Sequence, residues 1–165
     1  MKNIFLLAVL AVAVCSCTSK KQSEFQVFEL DQLLAVAEQE LENTVTVVGY
    51  VTHTCKHSGK RCFIIGESQK ATMRVEAEGD IGGFSADLVG SKLAITGVVQ
   101  ERRLSEEYIA QWEKNVHQQM EEDGSAETCA AELSNISDMR NWMIEHGKDY
   151  YAIYFMDGLS FEVLD

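Results

Sequence analysis

Along residues 44–57 apolar and polar side chains alternate over an unusually long run. The odd positions read Val45, Val47, Gly49, Val51, His53, Cys55 and His57, and the even ones are polar apart from Val48 and Tyr50. Such period-two alternation is the pattern of a strand with one buried face. Ser58-Gly59 then predicts a two-residue hairpin turn, with Arg61–Gly66 as the return strand. Glu67–Lys70 turns again, and Ala71–Ala77 is a third strand with Met73 and Val75 inward. Gly79, Gly82, Gly83 and Gly90 surround a short turn or helix holding Phe84 and Leu88. Leu93–Gln100 is a fourth strand, with Leu93, Ile95 and Val99 on one face.

On either side the apolar period becomes helical. Asp31 is the expected N-cap of a stretch carrying Leu33, Leu34, Ala37 and Leu41, stopped at Glu42-Asn43. Ser105 caps a predicted helix from Glu106 to about Glu122, whose stripe is Tyr108, Ile109, Trp112, Val116 and Met120. A loop is expected over 123–126, and a second helix over Ser137–His146, ended by Gly147. Tyr150–Phe155 is a strand that Asp157-Gly158 would turn into a last one at Ser160–Leu164.

The start of the chain belongs to none of this. Lys2 precedes an apolar run, Ile4 to Val14, of signal-peptide length and too short to span a bilayer. Val14-Cys15-Ser16-Cys17 resembles a lipobox, with small Ser16 before the cut and Cys17 as the lipidated residue. Cys15 fits less well, because branched Val14 would precede it. The resemblance implies export to the cell envelope and a lipid anchor on a bacterial membrane, facing outside the cytoplasm, since two or more acyl chains hold stably where one does not. Residues 1–16 are thus expected to be a lipoprotein signal peptide, 17–27 a lipidated cysteine and tether, and 28–165 one globular domain.

Two glycine-interrupted β-branched stretches, Thr44–Val51 and Ser91–Val99, resemble the strands of an OB-fold barrel, where a glycine lets the strand bend. Two strands and a short helical turn lie between them, in the OB order. The expected fold is α+β, a small OB-like β-barrel at 44–104 with flanking helices and a C-terminal β-hairpin. The resemblance implies a binding module for oligonucleotides, oligosaccharides or proteins. It implies a ligand-binding face too, to which Tyr50, Lys56, Lys60, Arg61 and Phe63 are assigned. That face offers Phe63 and Tyr50 but no basic–aromatic stripe.

Charge bears on the partner. The net charge of −12 is segregated. Residues 1–43 carry three Lys against six acids, 44–104 eight Lys or Arg against six, and 105–165 three against fourteen. Phosphate backbones are bound through basic groups, so nucleic acid is disfavoured for the whole chain and left open for the OB face.

The segment His53-Thr54-Cys55-Lys56-His57-Ser58-Gly59-Lys60-Arg61-Cys62 carries the candidate chemistry. With a two-residue loop at Ser58-Gly59, Cys55 faces Cys62. One reading is a disulfide, favoured in an oxidising compartment and stabilising by about 2–3 kcal/mol on the chain-entropy model. Another is a site for a soft or borderline ion, zinc or copper. His53 and His57 would lie roughly 13 Å apart on a regular strand, so one of them would join Cys55 and Cys62. Cys129 or His117 would be the fourth ligand. A third group comprises redox or haem handling and a Cys–His nucleophile. No orienting group or oxyanion site accompanies the nucleophile, and no enzyme is expected.

Overall fold

In a computed structural model of the chain, residues 25–123 and 126–164 are described. The signal segment 1–16, Cys17 and most of the tether lie outside them. Six strands form one sheet among the described residues: β1 Val27–Glu29, β2 Thr44–Thr54, β3 Arg61–Ile65, β4 Thr72–Ala77, β5 Lys92–Ser105 and β6 Tyr150–Leu164. Their order is β1-β2-β3-β4-β6-β5, and β2 pairs with β5 as well. The five strands β2 to β6 therefore close into a barrel. Within that ring only β4–β6 is parallel. Short β1 lies parallel to β2 beside Thr46–Val48 and begins at Val27, inside the segment expected to be tether. Strand order and the parallel pair are those of an OB barrel, and the fold is α+β as expected.

Alternation fills the barrel. Val47, Ile64, Val75, Leu93, Ile95 and Met156 are fully buried, each worth about 1.5–3 kcal/mol of transfer. Helix α1, Leu30–Val36, adds Leu30 and Leu33 to this core. Its N-cap is Glu29, whose backbone N–H donates to Gln32 Oε1 at 3.4 Å, so the expected cap at Asp31 is corrected. Asp31 instead receives the backbone N–H of Ser68 at 3.3 Å and the Ser68 hydroxyl, tying α1 to the β3–β4 turn. The helix also ends earlier than its apolar spacing suggests, because Leu41 is drawn into a bridge with Val99 of β5.

The expected C-terminal hairpin is a single strand. β6 passes through Asp157-Gly158 without turning, pairing there with Val98 and Gly97 on one side and Glu76 and Ala77 on the other. These glycines serve close approach. A Cβ on Gly97 would lie 2.4 Å from the Asp157 carbonyl oxygen, and one on Gly158 would lie 2.8 Å from Val75 Cγ1.

β5 and β6 stay paired from Lys92↔Leu164 to Ser105↔Tyr150 and run out of the barrel as a ribbon. Between their far ends stand α2, Glu106–Asp123, and α3, Ala126–His146. Ser105 Oγ accepts the Tyr108 N–H at 3.2 Å, the expected cap. The second helix, however, begins at Ala126 and not at Ser137. Cys129, Ile136 and Met143 recur at a heptad interval, so one buried stripe continues through residues expected to be outside the helix. With Leu104, Ile109 and Val116 they make a second core, separate from that of the barrel. Trp112 Nε1 donates to Glu132 at 2.9 Å, and Arg140 bridges Glu106 and Glu113 at 2.9 Å each.

Candidate functional site

Strand register builds a row across the outside of the barrel. His53 of β2 is paired with Phe63 of β3, Phe63 with Arg74 of β4, and Arg74 with Phe155 of β6. Their strand neighbours Cys62, Ile64, Met73, Val75 and Met156 face the core, so these four side chains face out. The His53 and Phe63 ring centroids are 6.0 Å apart at 42°, and the Arg74 guanidinium lies 4.7 Å from the Phe155 centroid. Glu76 takes both Arg61 and Arg74 at 2.9 Å, which pins the arginine and offsets part of its charge.

Expectation had this face without a basic–aromatic stripe, and that is corrected. The stripe exists, and half of it comes from β4 and β6. Tyr50 sits one row away, opposite Ile65, with the Lys92 ammonium 5.3 Å from its ring. A flat ligand group can stack on such rings, at about 1–3 kcal/mol for a nucleobase, while Arg74 supplies an adjacent cation.

The histidine–cysteine segment folds differently from the two-residue hairpin. A bulge between Val51 and His53 shifts the register, and Thr54, not Cys55, is paired with Cys62. The turn occupies Cys55 to Lys60. Gly59 N–H donates to the Cys55 carbonyl at 2.8 Å, and Lys60 Nζ donates to the Gly82 carbonyl at 3.1 Å. Gly59 adopts φ 64°, where a side chain would be strained.

Cys55 and Cys62 consequently differ in kind. Cys62 is wholly inside the barrel, and burial pushes its thiol up to about 12. Cys55 is partly exposed. The Ser58 hydroxyl donates to its sulfur at 3.5 Å, and with backbone hydrogen bonds from Ser58 and His57 this lowers the thiol to about 7. The two sulfurs are not joined. Cys129 is buried in the helical core and His117 is exposed on α2. Among the described residues no three His, Cys, Asp or Glu side chains gather as a metal-ligand set. Lys56 and Lys60 are exposed at the turn, and Arg61 is held by Glu76.

Sequence reasoning also missed a cleft at the opposite end of the barrel. Its volume is about 310 Å³, and it separates Lys70–Thr72 from Tyr151–Tyr154, with Leu34 and Trp142 also lining it. Trp142 stacks on His146 at 4.1 Å and meets Tyr151 edge-on at 5.2 Å. Nearby, Lys148 Nζ bonds Glu38 and the Tyr150 hydroxyl, holding Glu38 below its ordinary pKa. No local spacing announces this cleft, because α1, β4, α3 and β6 each supply part of it.

No protein-family model and no curated protein matches the chain. Among solved structures, it is similar to a protein assigned as an aspartyl-tRNA synthetase from Leishmania major Friedlin, at 12% identity and a TM-score of 0.42. The match covers 93% of this chain and 22% of that one, so the chain spans about a fifth of that protein's length. The barrel assignment rests on the strand order and register given above.

Proposed function

We propose that the chain is a noncatalytic cell-envelope lipoprotein whose OB-like barrel is a binding module. The row His53–Phe63–Arg74–Phe155 carries the reading, because rings flanking a guanidinium on an outer barrel face suit a ligand with flat groups and an anionic or acceptor group. The acidic excess lies mostly after residue 104, and three of the row's four residues, His53, Phe63 and Arg74, come from the mildly basic segment 44–104, which favours this surface for such a ligand. Anchoring is supported by the apolar run before Cys17 and by Ser16.

The test uses the chain from Ser19 onward, which retains every described element. Labelled with ¹⁵N, it is titrated with a thymidine dodecamer and with chitohexaose, probes for base and sugar stacking. At least one should shift the amides of β3, β4 and Phe155. Phe63→Ala and Phe155→Ala should each then weaken binding about 5- to 150-fold, the equivalent of about 1–3 kcal/mol. Unmoved amides with both probes, or undiminished binding by the double variant, would refute the reading.

A narrower second reading concerns Cys55. Its Ser58 hydrogen bond favours thiolate, the form that binds soft ions, and His53 and His57 are its near neighbours in sequence. Metal analysis of tag-free protein tests this. About one equivalent of zinc or copper, lost in Cys55→Ser, is expected. A metal-free protein that takes up neither ion would end this reading.

A further inference from the structure

We propose that the open edge of β6 between Tyr151 and Tyr154 is a docking site for an extended peptide segment of a partner protein, which adds a strand there. The site is separate from the outer row and does not depend on it.

Backbone geometry is the first ground. In an antiparallel ladder alternate residues turn both N–H and C=O away from the partner strand. Along β6, β5 takes one edge from Tyr150 to Leu164. On the other edge β4 is paired only from Arg74↔Phe155 to Ala77↔Gly158. Before Phe155 the two strands diverge, and the cleft of about 310 Å³ opens between Lys70–Thr72 and Tyr151–Tyr154. Neither another described strand nor any turn hydrogen bond occupies the β6 edge there. Such an edge is a template for one more strand.

Side chains then select the occupant. Leu34, Trp142 and Tyr151 make one wall aromatic and apolar, which suits an apolar side chain at alternate positions of the incoming segment. Lys70 stands on the opposite lip, exposed and with no ion pair among the described residues, and it suits an acidic residue of the segment. A nucleic acid fits less well. Burial, and after it the carboxylates of Asp138 beside Tyr151 and of Glu101 and Glu38 beside Tyr154, raises those phenols above their ordinary pKa, and the same carboxylates repel a phosphate chain. A strand of peptide also matches the edge's spacing of donors and acceptors, which a phosphodiester does not.

The probe is a phage-displayed library of random twelve-residue peptides, panned against the chain from Ser19. Enriched peptides should alternate apolar residues and carry an acid. A synthetic copy should shift the amides of Lys70–Thr72 and Tyr151–Tyr154 and slow exchange of alternate β6 amides. Lys70→Glu, an exposed change that leaves both cores intact, should weaken the peptide about tenfold or more, whereas Lys56→Glu should not. Failure of any peptide to enrich, shifts confined to other surfaces, or equal binding by Lys70→Glu would each overturn the proposal. So would cleft shifts with the thymidine dodecamer in place of peptide. Peptide failure with intact binding at Phe63 and Phe155 would leave the outer-row reading standing, and the reverse pattern would leave this one.

Discussion

Replacing Ile136 by Ala tests whether the helical pair and the barrel are held by independent cores. Ile136 is 1% exposed in the middle of α3, and it belongs to the cluster of Leu104, Ile109, Val116, Cys129 and Met143, which shares no buried residue with the barrel cluster. Truncation removes about three carbons, roughly 2.4 kcal/mol at about 0.8 kcal/mol each, and the cavity left behind raises the total to about 2–5 kcal/mol. With six buried side chains in its core among the described residues, against seventeen in the barrel, the helical pair opens before the barrel does. Residue-resolved hydrogen exchange reads the effect. Amides of α2 and α3 should lose protection by about 30-fold to several thousandfold, at about 1.4 kcal/mol per factor of ten. Those of β2 and β3 should change little. Equal loss of protection in helices and barrel would show one cooperative unit and refute the two-core account.

Three further outcomes follow from the geometry. Alkylation of Cys55 by iodoacetamide should rise through a midpoint near pH 7, and Ser58→Ala should move that midpoint upward, while Cys62 stays unreactive in the folded protein. Burial, reinforced by Glu78 and Glu76, raises the Asp157 carboxyl above its ordinary pKa. A raised acid contributes stability at pH values below its unfolded pKa and loses it as pH rises through the folded one, so Asp157→Asn should raise Tm at pH 7 and not at pH 3. Gly97→Ala should destabilise by about 1–3 kcal/mol or more in urea, because its Cβ would lie 2.4 Å from the Asp157 carbonyl oxygen.

The barrel was readable because alternation and two interrupting glycines are local signals. Gly49 in β2, read from the sequence as a bend, sits where a Cβ would be 3.1 Å from the Ile65 carbonyl oxygen. Three things were not local. The turn spans Cys55 to Lys60 and not two residues, and a bulge beside Thr52 moves Thr54, where an unbroken ladder would put His53, opposite Cys62; no residue type in that stretch encodes either. Asp157-Gly158 carries a turn dipeptide, yet barrel closure uses the glycine for close packing. Arg74 and Phe155 meet only because β4 and β6 pair in parallel across a long insertion, so half of the outer row was invisible until the topology was known. The early start of α3 was misread because Ser137 looked like a cap, although the heptad spacing of Cys129, Ile136 and Met143 was present in the sequence.

The pairing of Ser105 with Tyr150 bears on how the chain finds its fold. β5 and β6 adjoin in the barrel but are separated by the whole of α2 and α3, and a flexible segment of that length would make their encounter entropically slow. Two antiparallel helices remove the difficulty, since their contacts are local and their outer ends finish one strand spacing apart. A helical pair that forms first would act as a clamp, delivering β6 to β5 and shortening the effective loop to almost nothing. A long insertion, read in this way, lowers the kinetic barrier to closing the barrel that it interrupts.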